Sequence, residues 1–350
     1  MKNGMDRREF LKFSMATGAL LAAGEGAKGN VMAQGTARIT EVDKVTIWVL
    51  TDNYYDALRP DTKITKRYRA VPGKSIHAEH GLAFYVETVV NGKASACMFD
   101  YGLDPVGVVN NIGLLGLDLG KANAFGLSHG HFDHWMGAVS ILKQNQPRIA
   151  GGTPFYVGEE AFNRRYSLLP GHTEPEDLGQ LRKEDIEAFG LKVVEVKNPV
   201  QIIPGAYFTG NIERVTAYEK VPPSLLIKRA EKPEADDFRG EQALFCNVKG
   251  KGLVVLSGCA HAGIVNTIKH AQTIAGTDKI HAVMGGFHLI NAKPKVIQNT
   301  VADIKAMKPD HIVPAHCTGF EAIVAFSREM PNEFTINTAG SQYTFNDRLS

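Results

Sequence analysis

The sequence predicts an α/β fold in which two mixed β-sheets pack face to face and helices cover their outer sides. Short apolar runs typical of buried strands alternate with helix-like segments, and a β-rich part followed by a strand–helix part occurs twice along the chain. The two halves share no sequence repeat. No G-x-G-x-x-G sequence joins a predicted strand to a predicted helix, so a doubly wound parallel sheet is the disfavoured alternative.

The composition is that of a globular chain. Of its 350 residues, 44% are hydrophobic and 22% are charged, which excludes intrinsic disorder and a collagen-like fibre. The 39 Lys and Arg residues are balanced by 37 Asp and Glu residues, so there is no strong positive field and no nucleic-acid partner is expected. Four cysteines without a C-x-x-C pair are too few for a disulfide scaffold, so an important cysteine is expected to be a ligand or a core residue.

Residues 1–33 are expected to be a targeting segment and not part of the fold. The stretch Arg7-Arg8-Glu9-Phe10-Leu11-Lys12 resembles a twin-arginine export signal, and the apolar run at 13–23 is shorter than the roughly 20 residues that span a bilayer. Residues 31–33 offer a cleavage site. We expect export by the twin-arginine translocation machinery to the periplasm or another extracytoplasmic space, with no stable membrane span after cleavage. An amphipathic first helix is the alternative.

Residues 34–350 are expected to form one domain. The expected elements of the first half are, in order, a strand over 45–50, a hairpin of strands 82–90 and 94–99 around Asn91-Gly92, a helix over 105–116, a strand over 122–127 and a helix over 133–143. Residues 150–240 are the least periodic part, and we expect an insertion there that shapes a substrate cleft. The expected elements of the second half are strands over 242–248, 252–257, 280–284 and 311–313 and helices over 262–275, 295–307 and 319–329.

A cluster of candidate metal ligands lies in the loop between the strand at 122–127 and the following helix. Its sequence is Ser128-His129-Gly130-His131-Phe132-Asp133-His134. Imidazole nitrogens and a carboxylate oxygen are ligands for divalent transition metals. The spacing lets His129 and His131 meet one ion, while Asp133 and His134 turn toward a second about 3.5–4 Å away. Surface or helix-capping histidines are the alternative interpretation.

Further candidate ligands follow three predicted strands of the second half. Cys259 and His261 come after the strand at 252–257, His288 after the strand at 280–284, and His316 after the strand at 311–313. Ligand-bearing loops at one rim of the sheets explain this placement simply. Taken singly, each of these residues would more often be a hydrogen-bonded core residue or a surface residue than a metal ligand.

These motifs resemble the metallo-β-lactamase superfamily, which implies a four-layer αββα sandwich with a metal site at its rim. The resemblance covers about residues 45–330. Within the superfamily, the motifs look like those of one branch, which contains predicted metal-dependent hydrolases and dihydropterin-methyl ribofuranosylaminobenzene 5′-phosphate synthases. The motifs, in order, are Ala78-Glu79-His80-Gly81-Leu82, Phe99-Asp100-Tyr101-Gly102, Leu127 to His134, Ser257-Gly258-Cys259-Ala260-His261, Gly285-Gly286-Phe287-His288-Leu289 and Pro314-Ala315-His316-Cys317-Thr318-Gly319.

The resemblance implies a centre of two divalent metal ions, with zinc favoured and iron or manganese as alternatives. By position, His129 and His131 would bind the first ion, and Asp133, His134 and His316 the second. Many relatives have a middle-loop histidine that the stretch at 208–212 lacks, so His261 is the candidate substitute.

Three further residues are candidates for metal binding or for supporting a ligand. Cys259 occupies the place of a bridging aspartate in many relatives, and a thiolate there would favour zinc. His288 is a second candidate ligand, and Asp100 is expected to accept a hydrogen bond from a ligand histidine. Four polar residues near strand ends are candidates to contact the substrate or to support a ligand residue, or are simple turn residues: Asp52, Asn53, Glu79 and His80.

The expected function is hydrolysis of a small-molecule ester, amide or lactam, or phosphoester. A bound metal lowers the pKa of water from 15.7 to about 7, so hydroxide forms at neutral pH, and Asp133 would orient it and accept its proton. One alternative is a transferase of the dihydropterin synthase type, against which export argues, because such a cofactor pathway would run in the cytoplasm. The other is a metal-binding protein without turnover.

Overall fold

The computed structural model describes residues 39–168 and 171–347, which form nineteen strands and seven α-helices. The expected signal segment at 1–33 lies outside the described residues. Within the described part of the chain, no helix combines the length and apolar character needed to cross a membrane.

The strands are β1 (Glu41–Val42), β2 (Lys44–Thr51), β3 (Thr65–Arg67), β4 (Ala83–Val90), β5 (Lys93–Tyr101), β6 (Ala122–Gly126), β7 (Pro154–Gly158), β8 (Arg165–Ser167), β9 (Glu176–Asp177), β10 (Lys192–Val196), β11 (Val200–Ile203), β12 (Ala206–Phe208), β13 (Leu225–Lys228), β14 (Pro233–Ala235), β15 (Ala243–Val248), β16 (Gly252–Ser257), β17 (Ile280–Gly286), β18 (His311–Ala315) and β19 (Ser341–Asn346). The helices are α1 (Pro105–Leu114), α2 (Phe132–Trp135), α3 (Ala138–Asn145), α4 (Lys183–Glu187), α5 (Ile264–Ala275), α6 (Pro294–Met307) and α7 (Phe320–Glu329).

Two large sheets organise these elements. Sheet I has eight strands in the order β10-β7-β6-β5-β4-β2-β19-β3, and the neighbours from β5 through β6 and β7 to β10 run parallel. Sheet II has seven strands in the order β11-β12-β15-β16-β17-β18, with β1 also paired to β15, and its strands β16, β17 and β18 run parallel. Each sheet is therefore mixed, and in each the carboxyl ends of the parallel strands share one edge.

The core between the sheets is built from apolar residues of both. Phe84 and Phe99 of sheet I and Phe208, Leu256 and Met284 of sheet II belong to one buried cluster. The alternation of side chains along a strand leaves the opposite face of each sheet for helices. The result is the αββα arrangement expected from the sequence.

The outer layers are two further apolar clusters. Helices α1, α3 and α4 pack on the outer face of sheet I, where Met98, Phe125 and Phe155 are buried. Helices α5, α6 and α7 pack on sheet II around Val283 and Ile312.

Three details differ from the elements expected from the sequence. The helix expected over 133–143 is split into α2 and α3, since Gly137 lies so close to strand β5 that an added Cβ would be 2.2 Å from the carbonyl oxygen of Tyr101. The C-terminal strand β19 was not expected, and it inserts between β2 and β3.

The third difference is the segment 150–240, which is only partly an insertion. It supplies strands β7 and β10 to sheet I and strands β11 and β12 to sheet II. The additional part is a small four-stranded sheet of order β14-β13-β8-β9.

Candidate metal centre

The loop after β6 is held to the end of β5 by one buried carboxylate. Asp100 accepts hydrogen bonds from the backbone N–H of Ser128 at 2.7 Å and from its Oγ at 2.7 Å. The Nδ1 of His134 lies 2.6 Å from Asp100 Oδ2, and since a carboxylate only accepts, Nδ1 donates, so that the neutral form of this ring keeps its lone pair on Nε2. Asp100 thus fixes the ring of a candidate ligand histidine, as expected from its position.

Ser128 extends this orientation to a second histidine. Its Oγ donates to Asp100 and lies 2.9 Å from the Nδ1 of His129. Because the hydroxyl proton is used on Asp100, the Oγ accepts from His129 Nδ1, so the Nε2 of His129 also keeps its lone pair. One carboxylate and one hydroxyl therefore aim two imidazoles inward.

The first group of candidate ligands joins the two sheets. The Nε2 atoms of His129 and His261 are 3.2 Å apart, and these residues form with Cys259 a group whose ligand atoms all lie within 4.8 Å of one another. The ring of His131 is 4.8 Å from the rings of both histidines, measured between centroids.

The second group lies beside the first. His134 Nε2 is 3.1 Å from Cys259 Sγ, and His316 Nε2 is 3.1 Å from Asp133 Oδ2. His134, Cys259 and His316 also have their ligand atoms within 4.8 Å of one another. Cys259 is therefore common to both groups, at the place where the resemblance puts a bridging ligand.

The donor set and its spacing fit divalent metal ions. Around a tetrahedral zinc ion with Zn–N near 2.0–2.1 Å, two nitrogen ligands are about 3.3 Å apart, close to the 3.2 Å between His129 and His261. The buried Nε2 of His131 has no hydrogen-bond partner among the described residues. Buried polar atoms usually have a partner, so this nitrogen suits a ligand role.

Burial and charge set the protonation of the site. Burial lowers the pKa of His129, His131 and His261 well below the usual imidazole value, so these rings are neutral at pH 7, the form that binds a metal. Burial acts to raise the pKa of Asp133, but the imidazoles of His134 and His316 outweigh it and hold the pKa well below the usual carboxyl range. Asp133 is therefore a carboxylate.

His316 is held by residues far away in the sequence. Its backbone N–H donates to Asp52 Oδ1 at 2.9 Å, and its carbonyl accepts from Asn53 Nδ2 at 3.1 Å. Asn337 Nδ2 donates to the second oxygen of Asp52 at 2.7 Å, and Tyr343 supports Asn337. Asp52 is buried and fixes His316, which is the supporting role that was one of the roles expected for it; Asn53 is exposed beside it.

His261 is held by the carboxylate of Glu241, for which the sequence predicts no role. Glu241 accepts from the backbone N–H groups of His261 at 2.7 Å and Ala262 at 2.6 Å. Burial raises the pKa of Glu241 to about 7. The ring of Phe238 stacks on that of His261 with centroids 3.8 Å apart. An isolated Glu before a strand and a Phe in an irregular segment carry no sequence signal of this role.

The motif at 78–82 splits between two tasks. The carboxylate of Glu79 accepts from the backbone N–H of Leu103 at 2.9 Å and of Asp104 at 2.7 Å, so it fixes a loop, in keeping with the alternative of a turn residue. His80 is exposed at the mouth of the centre, with Nε2 3.6 Å from Asp133 Oδ2 and its ring stacked on that of His316.

Two residues of the remaining strand ends lie beside these groups. The ring of His288 is 4.0 Å from that of His261, measured between centroids. Cys317, which is not among the ligands expected from the sequence, forms with Cys259 and His288 a third group whose ligand atoms lie within 4.8 Å of one another. The cysteine next to His316 at a strand end was the available signal.

Left-handed backbone conformations concentrate at this centre. Asp100, Ala260, His288 and His316 have φ values of 61°, 56°, 45° and 51°. Non-glycine residues rarely adopt such values, and where they do the strain is often associated with function.

Comparison with known proteins finds relatives along most of the chain. No family model matches the sequence. The chain is 30% identical over 309 residues to the 7,8-dihydropterin-6-methyl-4-(beta-D-ribofuranosyl)-aminobenzene-5'-phosphate synthase of Methanocaldococcus jannaschii, covering 88% of this chain and 99% of the relative. It is 25% identical over 261 residues to an uncharacterized protein of the same organism, covering 73% of this chain and 90% of that protein.

Among solved structures, the chain is similar to a metal-dependent hydrolase of the β-lactamase superfamily. The TM-score is 0.64 at 24% sequence identity, and the match covers 87% of this chain and 100% of that chain. The fold expected from the sequence is thereby confirmed.

Proposed function

This chain belongs to the metallo-β-lactamase superfamily, in the branch that resembles the dihydropterin synthase-like proteins, and from that membership we propose that it is a metal-dependent hydrolase with a centre for two divalent cations. The proposed substrate is a small molecule with an ester, amide or lactam, or phosphoester bond. The observation that carries the proposal is the meeting of two buried donor groups at the shared Cys259.

The first ion would be held by His129, His131 and His261, and the second by Asp133, His134 and His316, with Cys259 available to both. Bound divalent ions supply Lewis acidity, which polarises the scissile bond and makes water nucleophilic at neutral pH. Zinc is the favoured metal, because the donors are imidazoles, a carboxylate and a thiol.

Two residues of this chain would orient the attacking water and take up its proton. Asp133 remains ionised through the neighbouring imidazoles, so it accepts a hydrogen bond from water and orients it. Burial lowers the pKa of His80, which is therefore neutral at pH 7, and its Nε2 lies 3.6 Å from Asp133 Oδ2. With its side chain 57% exposed, His80 can take up a proton and release it to solvent.

The proposal is tested by elemental analysis and turnover on one preparation. The protein is purified without chelator, its zinc, iron and manganese are quantified, and it is assayed on a panel of esters, lactams and phosphoesters. We expect bound divalent metal and turnover of at least one substrate class that a chelator removes and the metal restores. A His131→Ala, Asp133→Ala double variant that folds and matches the wild-type rate on every substrate would overturn the mechanism.

A second candidate function is a transferase reaction, favoured by the 30% identity to a named synthase along 99% of that relative. In that reaction the nitrogen of an aminobenzene ribose phosphate would displace the activating group from the pterin methyl carbon, and the nitrogen would lose a proton. The discriminating assay incubates the protein with a dihydropterin activated at its 6-methyl carbon and the aminobenzene ribose phosphate, and follows the conjugate by mass spectrometry. Conjugate formation without hydrolysis of any panel substrate would replace the hydrolase proposal.

Export by the twin-arginine machinery is also part of the proposal. It is supported by the Arg7-Arg8 pair and the following short apolar run. In a host with this machinery, the wild-type protein should be recovered in the extracytoplasmic fraction, and an Arg7→Lys, Arg8→Lys variant should stay in the cytoplasm. A Lys28→Arg variant is the matched control. Equal cytoplasmic recovery of all three proteins contradicts export.

A further inference from the structure

The third group of candidate ligands, Cys259, His288 and Cys317, contains two thiols and lies next to the two groups proposed to hold the catalytic ions. Cys259, His288 and Cys317 follow the ends of the adjacent parallel strands β16, β17 and β18. Their ligand atoms lie within 4.8 Å of one another. The adjacency of three parallel strands therefore brings two thiols and an imidazole together at one edge of sheet II.

The two thiols of this arrangement are not joined in a disulfide. Both cysteines are reduced and buried, Cys317 Sγ lies 3.5 Å from the carbonyl oxygen of Cys259, and Cys259 Sγ lies 3.1 Å from His134 Nε2. The buried Nδ1 of His288 has no hydrogen-bond partner among the described residues. His288 itself is half-buried, so this position is not closed off by apolar packing.

The local backbone is shaped so that these side chains can approach. Gly286 lies between the two cysteines: an added Cβ would be 2.8 Å from Cys317 Sγ and 3.2 Å from the Cα of Cys259. His288 is held in a left-handed conformation with φ of 45°. A larger residue at 286 would separate the thiols, and simple core packing does not need a strained histidine there.

We propose that Cys259, His288 and Cys317 form a third metal position, which takes a soft divalent cation such as zinc. Two sulfur donors and one nitrogen donor match zinc and cadmium, whereas magnesium and calcium prefer oxygen ligands. Around a tetrahedral zinc ion such donors are about 3.4–3.8 Å apart, so small side-chain rotations from the observed spacing complete the site. Cys259 then links this position to the two proposed for hydrolysis.

This inference goes beyond the proposed function and does not depend on turnover. It concerns metal content and thiolate ligation, which are measured without any substrate. If the protein hydrolyses no substrate but binds metal at Cys259, His288 and Cys317, only the hydrolase proposal fails. If it hydrolyses a substrate but binds no metal there, only the third position fails.

The test compares the wild-type protein with a Cys317→Ser variant after loading with cobalt or cadmium. We expect the variant to lose about one equivalent of metal per chain, and its near-ultraviolet thiolate-to-metal charge-transfer band to weaken. A His288→Ala variant, which keeps both thiols, should show the same loss of metal. Cys246→Ser is the matched control, because Cys246 is buried in the core between the sheets. Circular dichroism verifies that each variant is folded.

Two results would overturn the third position. One is a folded Cys317→Ser variant with the metal content and charge-transfer band of the wild type. The other is a disulfide between Cys259 and Cys317 in the metal-loaded protein, detected by mass spectrometry of peptides from unreduced digests.

Discussion

In the first half of the chain one loop, from His129 to His134, carries four candidate ligands, whereas in the second half three separate strand ends carry Cys259 with His261, His288 and His316. The first loop is oriented by a single carboxylate, Asp100, through direct hydrogen bonds to side chains. The second set is held through its backbone.

The backbone of His261 is fixed by Glu241 and that of His316 by Asp52. His129 and His134, on one loop, thus share an orienting group, while His261 and His316, at separate strand ends, are each held by their own buried carboxylate. Glu241 and Asp52 thus fix the position of a loop, whereas Asp100 also selects the tautomer of an imidazole ring. The two halves should therefore respond differently to loss of their carboxylates.

The largest effect is expected from Asp133→Asn in the first half. The substitution keeps the size of the side chain and removes the charge beside His134 and His316. We expect loss of the second ion and a fall in kcat/KM of at least about a hundredfold, because the ligand charge and the water acceptor are both lost. Metal analysis and steady-state kinetics check this. An unchanged metal content would remove Asp133 from the ligand set.

The next effect concerns the second half and the pH dependence of stability. Burial raises the pKa of Glu241 to about 7, from an ordinary value of 4.5, so the folded protein holds this proton more tightly than the unfolded chain. The contribution is favourable at low pH and is lost as pH rises through the interval from 4.5 to about 7, by up to about 3 kcal/mol.

Denaturant unfolding of the metal-free protein at several pH values measures this dependence. A Glu241→Gln variant should lack this component, so its free energy of unfolding should fall less steeply than that of the wild type across the interval. Comparing slopes instead of absolute stabilities separates the proton effect from the altered hydrogen bonds to His261 and Ala262. Parallel curves for the two proteins would contradict the raised pKa.

A smaller effect is expected from Asp100→Asn, which tests the shared orienting group of the first half. The amide cannot accept hydrogen bonds from both Ser128 and His134 as the carboxylate does. The ring of His134, and the ring of His129 that Ser128 holds, therefore lose their fixed orientation. Metal affinity should fall by about 10–100-fold. Isothermal titration with zinc of the chelated protein measures it, and wild-type affinity in a folded variant would assign Asp100 a purely structural role.

The smallest effect is expected from Ser128→Ala. This variant removes only the hydroxyl between Asp100 and His129 and leaves the contact of Asp100 with His134 intact. We expect a loss near the lower end of the same range, about tenfold, measured by the same titration. A loss equal to that of Asp100→Asn would mean that His129, and not His134, carries most of the effect of the carboxylate.

The parts of the molecule that the sequence predicts are those with local signals. The H-x-H-x-D-H spacing and the placement of His261 and His316 after apolar strands depend on a few neighbouring residues. Strands β16 and β18 and helices α5 to α7 lie close to their expected ranges, because their apolar periodicity is strong.

The missing parts depend on contacts between distant segments. The hydrogen bond between Asp52 and the backbone of His316 joins residues 264 positions apart, and the sequence around neither residue predicts it. The break between α2 and α3 follows from the approach of Gly137 to Tyr101, which only the packed sheet creates. Strand β19 has an alternating buried pattern that the sequence contains, but its place between β2 and β3 is set by the whole of sheet I.

The measurement that tests the central claim most directly is anomalous X-ray diffraction at the absorption edge of the bound metal, from crystals of the zinc-loaded protein. We expect one anomalous peak beside His129, His131 and His261 and another beside Asp133, His134 and His316. The absence of both peaks from zinc-loaded crystals, or strong peaks only at positions remote from these residues, would contradict it.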